Sequence, residues 1–481
     1  MRLPPQTHYF SIPTLQLTVA AAKESPGAEK VSIEVHGEKV CYFRVVDSDA
    51  ALGHAQYLRG WDSGTYTRFP IPRNADGSPW AEGVLFILHA VDMSARPKVR
   101  TFSSMAEDLG AFKNFADKAD IDVFDFDMSK NGRPTYRFKG FLSALLQARK
   151  MSPSLAKRRM QVVVRFYRWL ISSHAFTPAR NPWQEKAVTI SLTDSRGAKR
   201  EAVKVTTDLS IRATRARDPL GDYIEDGGRL KPLAQAQQRA VFESLAELKN
   251  TEMTLVHALA MLTGARTQTV LTSLADDYRN PIEGSRALSV RISCGLSTGV
   301  DTKGDKWGTL HLPPFLYRML HEYSRSERAL RRRTRAEKPG AWGHYLFLTQ
   351  HGNPYYESHE DAQKPSSRNE GLRSVKVGQA VRMFILARVL PLARRKLNDP
   401  NFNYTLHDLR ATFGVNYVEF HTTRGIQPQT VLKDLSALMW HSNTGVTERY
   451  LDFHSRQAAL FAAEANWAEH LTQIVSYVIK K

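Results

Sequence analysis

From about residue 100 the apolar residues of this chain change their spacing, and no other feature constrains its fold as much. Before that point, "KVSIEVHGEKVCYFRVV" alternates Val31, Ile33 and Val35 on one side, then reverses near His36 and Gly37 into a second β-prone run. After it, "SSMAEDLGAFKNFADKA" puts Met105, Leu109, Phe112 and Phe115 down one helical face, opened by a predicted capping box of Ser104 and Glu107. "RFKGFLSALLQARK" repeats the stripe with Phe138, Phe141, Leu142 and Leu145. Ser152 and Pro153 then read as N-cap and first residue of a third helix, with Val163, Phe166, Tyr167 and Leu170 inside. The expectation is a mixed or β-rich accessory region over residues 1–95, followed by a helical bundle over 100–184.

Pro178, Pro182, Pro219 and Pro232 punctuate the next stretch, and "LTDSRGAKREAVKV" reads as a hairpin, so 185–232 is expected to be a linker with a small ordered element. A second globular segment, 233–481, runs as helices, then short strands from about 287 to 312, then helices again. No internal repeat of fixed period is present. The expected class is therefore mainly α with a small antiparallel β-sheet, an α+β arrangement. At 481 residues several domains are expected, and 42% hydrophobic content is enough to give each a core.

Sixty-seven Lys and Arg against 48 Asp and Glu leave a net charge of +19, which repels itself unless a polyanion is the usual partner. Nucleic acid is the first candidate, an anionic membrane surface the second, and a plain basic surface the third. Lys157, Arg158, Arg159, Arg165 and Arg168 on the third helix could sit on a phosphate backbone, or could form a solvated helix face. Cys41 and Cys294 stand far apart without CxxC spacing, which offers no zinc motif or disulfide framework and suits a reducing cytoplasm. The opening residues lack the basic-then-apolar layout of a secretory signal, and no stretch has the length to cross a bilayer. No P-loop and no metal cluster is legible, so no cofactor is expected.

Four short stretches carry chemistry. In "MLTGARTQTVLTSL" a helix can stop at Thr263-Gly264, which leaves Arg266 where the next helix starts, a position that favours anions. A surface arginine in a helix-helix turn is the alternative. In "YTLHDLRATFG", His407 and Arg410 are three apart and project together, as a phosphodiester would require; a buried histidine beside a salt-bridged arginine would look the same. "VDTKGDKWGTLHLP" sets Lys303 and Lys306 around a turn, where an ammonium could protonate a leaving oxygen or simply be solvated. "MWHSNTGVTERYLDF" holds His441 and, nine residues on, Tyr450, either a core aromatic or a nucleophile.

In order and spacing these four resemble the tyrosine recombinase (phage integrase) family. That family's pattern is an arginine after "TGxR", a lysine on a β-hairpin, "HxLR", then "GHS" with the nucleophilic tyrosine nine residues on. The matches here are "TGAR" with Arg266, "TKG" with Lys303, "HDLR" with His407 and Arg410, and "WHS" with His441 and then Tyr450. "YLFLTQHGNPYY" is similar to the segment between hairpin and HxLR helix. The likeness covers about 233–470, and more loosely 100–184 as a core-binding domain. Thr269 stands where the family often has an acidic residue, so that partner is missing or supplied elsewhere. Trp440 replaces the usual glycine, and "EFHTTRGIQPQT" lengthens the approach to His441.

The resemblance implies a site-specific recombinase or integrase of a mobile element, acting in the cytoplasm of a bacterium and on the nucleoid when bound to DNA. Tyr450 would form a 3′-phosphotyrosyl linkage, with Arg266, Arg410, His407 and His441 stabilising the phosphorane and Lys303, or its rival Lys306, protonating the 5′ oxygen. The implied partner is double-stranded DNA, held at two sites by a homotetramer, with accessory recombinases or DNA-bending proteins as possible helpers and no membrane. Leu460, Ala463, Trp467, Leu471 and Ile474 form a C-terminal stripe that could dock on a neighbouring subunit or on its own domain. A type IB topoisomerase-like enzyme and a DNA-binding architectural protein are the competing readings.

Overall fold

The structure is a computed structural model, described for residues 8–16, 18–21, 23–24, 26, 28–35, 38–46, 65–94, 97–193, 199–212, 221–282, 289–336, 342–363 and 375–456. It is mostly helical with small antiparallel sheets, as the hydrophobic periods require. The chain divides into two compact units, Met1–Arg217 with His359–Ser374, and Asp218–Ser358 with Val375–Lys481.

In the first unit β1 (Tyr9–Gln16) pairs antiparallel with β5 (Thr65–Pro72), while β2 (Thr18–Ala21), β3 (Glu29–Val35) and β4 (Glu38–Val46) form a second sheet in the order β2-β4-β3. Val35 pairs with Glu38, so the alternating run of β3 returns along β4. Four helices follow: α1 (Ala81–Asp92), α2 (Val99–Lys118), α3 (Pro134–Gln147) and α4 (Pro153–Ser172). Their core is aromatic, with Phe112 edge-on to Phe138 at 5.1 Å and Trp80 against Phe166 at 5.0 Å. Ser152 caps α4 by accepting from Leu155 N–H at 3.3 Å, with Pro153 at the first helical position. The expected capping box on α2 does not form, because that helix begins at Val99 and Ser104 and Glu107 lie inside it. Val99 and Phe102 are buried and extend the apolar stripe upstream, so burial overrides the local cap, and Glu107 accepts the backbone N–H of His8 instead at 2.8 Å. β6 (Glu185–Thr193) pairs with β7 (Lys199–Thr207) over nine antiparallel positions.

The second unit opens with a small hairpin, β8 (Ile224–Glu225) and β9 (Arg229–Leu230), then α5 (Gln235–Glu247), α6 (Thr251–Thr263) and α7 (Thr267–Leu271). β10 (Val290–Cys294) and β11 (Gly308–Leu312) pair from Val290↔Leu312 to Cys294↔Gly308, within the span where short strands are expected. α8 (Pro314–Arg325), α9 (Glu327–Ala336), α10 (His359–Gln363, grouped with the first unit), α11 (Gln379–Phe384), α12 (Leu390–Leu397), α13 (Asp408–Thr422) and α14 (Pro428–Leu438) follow. Residues 444–456 are also helical. α13 carries the site and is buried around Leu409, Arg410, Ala411 and Thr412, so its first turns run through the interior. The "EFHTTRGIQPQT" stretch becomes the end of α13, a short turn and the start of α14. The C-terminal stripe from Leu460 to Ile474 lies outside the described residues. Among the described residues no helix is long and apolar enough to cross a membrane.

Candidate active site around Asp226

Arg266 stands at the N-cap of α7, placed there because α6 ends at Gly264 with φ +65°. Arg410 lies in the first turn of α13, whose start is fixed by Asp408: its carboxylate accepts from Thr405 N–H (2.7 Å), Thr405 Oγ1 (2.8 Å) and the N–H of Lys231 (2.8 Å). His407 sits at the N-cap of the same helix. His441 follows α14, and Tyr450 is on the helix over 444–456. Tyr450 is fully buried, and its ring fits because residue 414 is glycine: a Cβ there would stand 2.4 Å from the Tyr450 ring.

Arg266, Arg410, His441 and Tyr450 converge on Asp226, a residue outside the predicted set. Its Oδ2 accepts from Arg410 Nε at 2.6 Å and from the Tyr450 hydroxyl at 3.1 Å, and lies 3.1 Å from His441 Nε2. Its Oδ1 lies 3.4 Å from Arg266 Nη2. Arg410 also donates from Nη1 to Gly264 O at 2.6 Å and from Nη2 to Met439 O at 2.8 Å, with His441 Nε2 at 2.9 Å from that same Nη2. His441 Nδ1 is 2.9 Å from Thr447 Oγ1. One proton separates two arrangements of this ring. With Nδ1–H donating to Thr447, Nε2 accepts from Arg410; with the Thr447 hydroxyl donating to Nδ1, Nε2–H donates to Asp226.

The electrostatics follow from burial and charge. Burial opposes ionisation of Asp226, but the His441 hydrogen bond and the Arg410 charge outweigh it and hold the carboxyl well below its usual range. Burial raises the Tyr450 phenol well above its ordinary value, and the Asp226 charge adds to this. Burial lowers His441, against the pull of Asp226, and lowers His407, with the Arg410 charge adding to the effect. Among the described residues, His407 Nδ1 and Arg266 Nε are buried without a hydrogen-bond partner.

The two lysines part company. Lys303 Nζ lies 3.0 Å from where a Cβ on Gly227 would be, next to Asp226, whereas Lys306 lines an open groove of about 700 Å³ with Trp307, Lys433, Trp440, His441 and Glu448. Thr269 is buried and donates to Asp301 O at 2.8 Å, so it ties the β10–β11 loop to α7. Trp440 takes φ +55°, the left-handed conformation in which glycine is at ease, and donates from its indole to Thr309 O at 3.2 Å. Its ring lies against Gly308, so packing on β11 offsets the backbone cost.

On the first unit, α4 presents Lys157, Arg158, Arg165 and Arg168 to solvent, and these four line a basic cavity of about 500 Å³. Arg158 forms a bidentate pair with Asp108 at 2.6 and 3.0 Å, and Arg159 is half-buried 3.6 Å from the same carboxylate. Arg168 lies 3.3 Å from Glu185 and over the Trp183 ring.

No protein-family model matches the sequence, and no curated protein matches it. Solved structures do. Residues 82–397 of the Tn1549 transposon integrase, in complex with circular intermediate DNA, match at 14% identity over 76% of this chain and 94% of that one, TM-score 0.42. The XerH site-specific recombinase bound to its difH substrate matches at 14% identity over 77% and 85%, TM-score 0.41. A lambda integrase (75–356) dimer bound to a COC′ core site matches at 12% identity over 76% and 93%, TM-score 0.40.

In structure this chain is similar to tyrosine recombinases.

Sequence reasoning missed Asp226, Thr447 and Gly414. "EDGG" falls in the stretch expected to be a linker, and nothing in its local pattern points at a partner 184 residues away on α13. Thr447 carried a weak signal, six positions from His441 and three before Tyr450 on a short helix.

Proposed function

We propose that this chain is a site-specific DNA recombinase or integrase that cleaves and rejoins DNA through a phosphotyrosyl intermediate. One observation carries the reading: Arg266, Arg410, His441 and Tyr450 surround a single anionic group, Asp226, with Tyr450 in hydrogen-bonding reach of it. A phenol attacks a phosphodiester well only when the phosphate charge is already neutralised and the oxygen is held in place. Tyr450 Oη forms the new bond to phosphorus as the bond to the 5′ oxygen breaks. His407, whose Nδ1 has no other partner, takes the phenol proton, and Lys303 protonates the departing 5′ oxygen. The ester keeps the bond energy for the reverse attack by a 5′ hydroxyl.

Double-stranded DNA is the proposed substrate, with α4 of the first unit as a backbone contact and a homotetramer as the assembly for exchange between two sites, in the cytoplasm. A mobile element is the proposed setting. A topoisomerase-like enzyme would use the same groups on one site without synapsis; an architectural protein would bind DNA without them.

The test is trapping on nicked suicide DNA carrying the ends of the cognate element. Wild type should form a covalent protein–DNA adduct and Tyr450→Phe none. An adduct that persists in Tyr450→Phe removes the nucleophile assignment. Joining of two separate sites, measured against relaxation of one supercoiled circle, separates recombinase from topoisomerase.

A further inference from the structure

Asp226 lies at the tip of the β8–β9 hairpin, in a three-residue Asp-Gly-Gly turn between the Glu225↔Arg229 pair. The strands beneath are anchored: Ile224 and Leu230 are buried in the cluster that holds Ala411, Met439 and Tyr450, and Arg449 donates to Glu225 O at 2.6 Å. The tip is of another kind. Asp226 is followed by Gly227, with φ +69°, and Gly228, so the turn can rearrange without moving the strands. Through this tip the hairpin reaches Arg266, Arg410, His441 and Tyr450 by the carboxylate and Lys303 by Gly227, and the Asp226 charge acts on His407 as well.

Resting on the phosphodiester reading of this site, we propose that Asp226 is a surrogate for the scissile phosphate: a positioning residue that keeps the cluster assembled without DNA and is displaced when the phosphate enters. The donors are too many for a carboxylate. Two guanidiniums face one negative charge, which leaves one positive charge over, and Arg266 Nε and His407 Nδ1 remain unpartnered in the buried site. A phosphorane, with two negative charges and more oxygens, uses what Asp226 leaves unused. The two anions cannot share the position, because Arg410 Nε ends on Oδ2 and a phosphate oxygen needs that donor, while the Tyr450 hydroxyl must leave Oδ2 to reach phosphorus. A role for Asp226 as the base toward Tyr450 fits less well, since that oxygen already accepts from Arg410 at 2.6 Å.

The experiment compares full-length wild type, Asp226→Asn and the Asp226→Asn, Arg266→Gln double variant, using inorganic phosphate as the probe in thermal melts and nicked suicide DNA for adduct formation. In Asp226→Asn, phosphate should raise the melting temperature roughly threefold more than in wild type, against chloride of equal ionic strength, and the double variant should lose that gain. Adducts at subsaturating DNA should form at least as fast in Asp226→Asn as in wild type. Equal phosphate effects in wild type and Asp226→Asn would overturn the proposal, as would a more than tenfold slower adduct in a phosphate-binding Asp226→Asn, which would place Asp226 in the chemistry. If Asp226→Asn folds in phosphate but not in chloride, the surrogate role is supported; if it folds in neither, the proposal fails. Absence of adducts from wild type refutes the recombinase reading instead, while the phosphate comparison still reads the anion site.

Discussion

Two aspartates in this molecule each hold a pair of arginines, and they differ in how deeply their partners are buried and in what else shares the carboxylate. Asp108 in the first unit is buried, and the bidentate Arg158 side chain that neutralises it is 52% exposed. Asp226 in the second unit is equally buried, but its main partner Arg410 is 1% exposed and shares it with a histidine and a tyrosine. An exposed guanidinium can trade its partner for water at small cost. A buried one cannot, so Arg410 is fixed in place by its bonds to Gly264 O and Met439 O. What marks the site is a surplus of directed donors around one oxygen, which charge alone does not provide.

The sharpest way to break this comparison is by activity. Tyr450→Phe should lower covalent adduct formation by about a thousandfold or more while costing about 1 kcal/mol of stability, the worth of one hydroxyl bond. Arg158→Ala should leave the chemical step on saturating DNA unchanged; a loss there as large as that of Tyr450→Phe would erase the distinction. The next effect is on stability. Arg410→Ala leaves Asp226 buried with a weaker partner and should cost about 3–5 kcal/mol in chemical denaturation. A loss below that of Arg158→Ala would mean that the cluster is solvated.

Acidification acts on the second unit through its buried histidines. Burial lowers His257, whose Nδ1 meets Met253 O at 2.6 Å and whose Nε2 meets Tyr404 Oη at 3.0 Å, to about 4. A histidine whose folded value lies below its unfolded one contributes stability fully above the unfolded value and loses it as pH falls toward the folded value. His257 alone should therefore remove about 2 kcal/mol between pH 7 and pH 5, with His407 and His441 adding in the same direction. Denaturation of His257→Gln at both pH values checks this: its pH dependence should be weaker by that amount. The smallest expected change is Arg158→Ala itself, about 1 kcal/mol, because Arg159 remains beside Asp108.

Much of the site was legible because its parts sit in local grammar. Gly264 stops α6 and so delivers Arg266, and the three-residue interval from His407 to Arg410 spans one turn at the start of α13. Lys303 was preferred to Lys306 by resemblance, since the family's lysine precedes the glycine of this turn; its ammonium lies by the Asp226 tip, while Lys306 lines the groove beside His441. Ser104 and Glu107 misled for the converse reason: a valid local cap lost to apolar burial upstream of it. Trp440 shows the same rule at a backbone, where a left-handed φ that suits glycine is held by a side chain packed on β11.

By itself the sequence determined the helical and strand periods and the chain's basic character, since each depends on residues within a few positions of one another, while the six candidate groups came from the order of four motifs that resembles a family pattern. Only the tertiary structure decided that Asp226 stands among them, because a hydrogen bond between residues 184 or 224 positions apart leaves no local pattern. The reason is physical: the energy of a buried charge depends on which groups surround it in space, and chain order records only which groups are near in sequence.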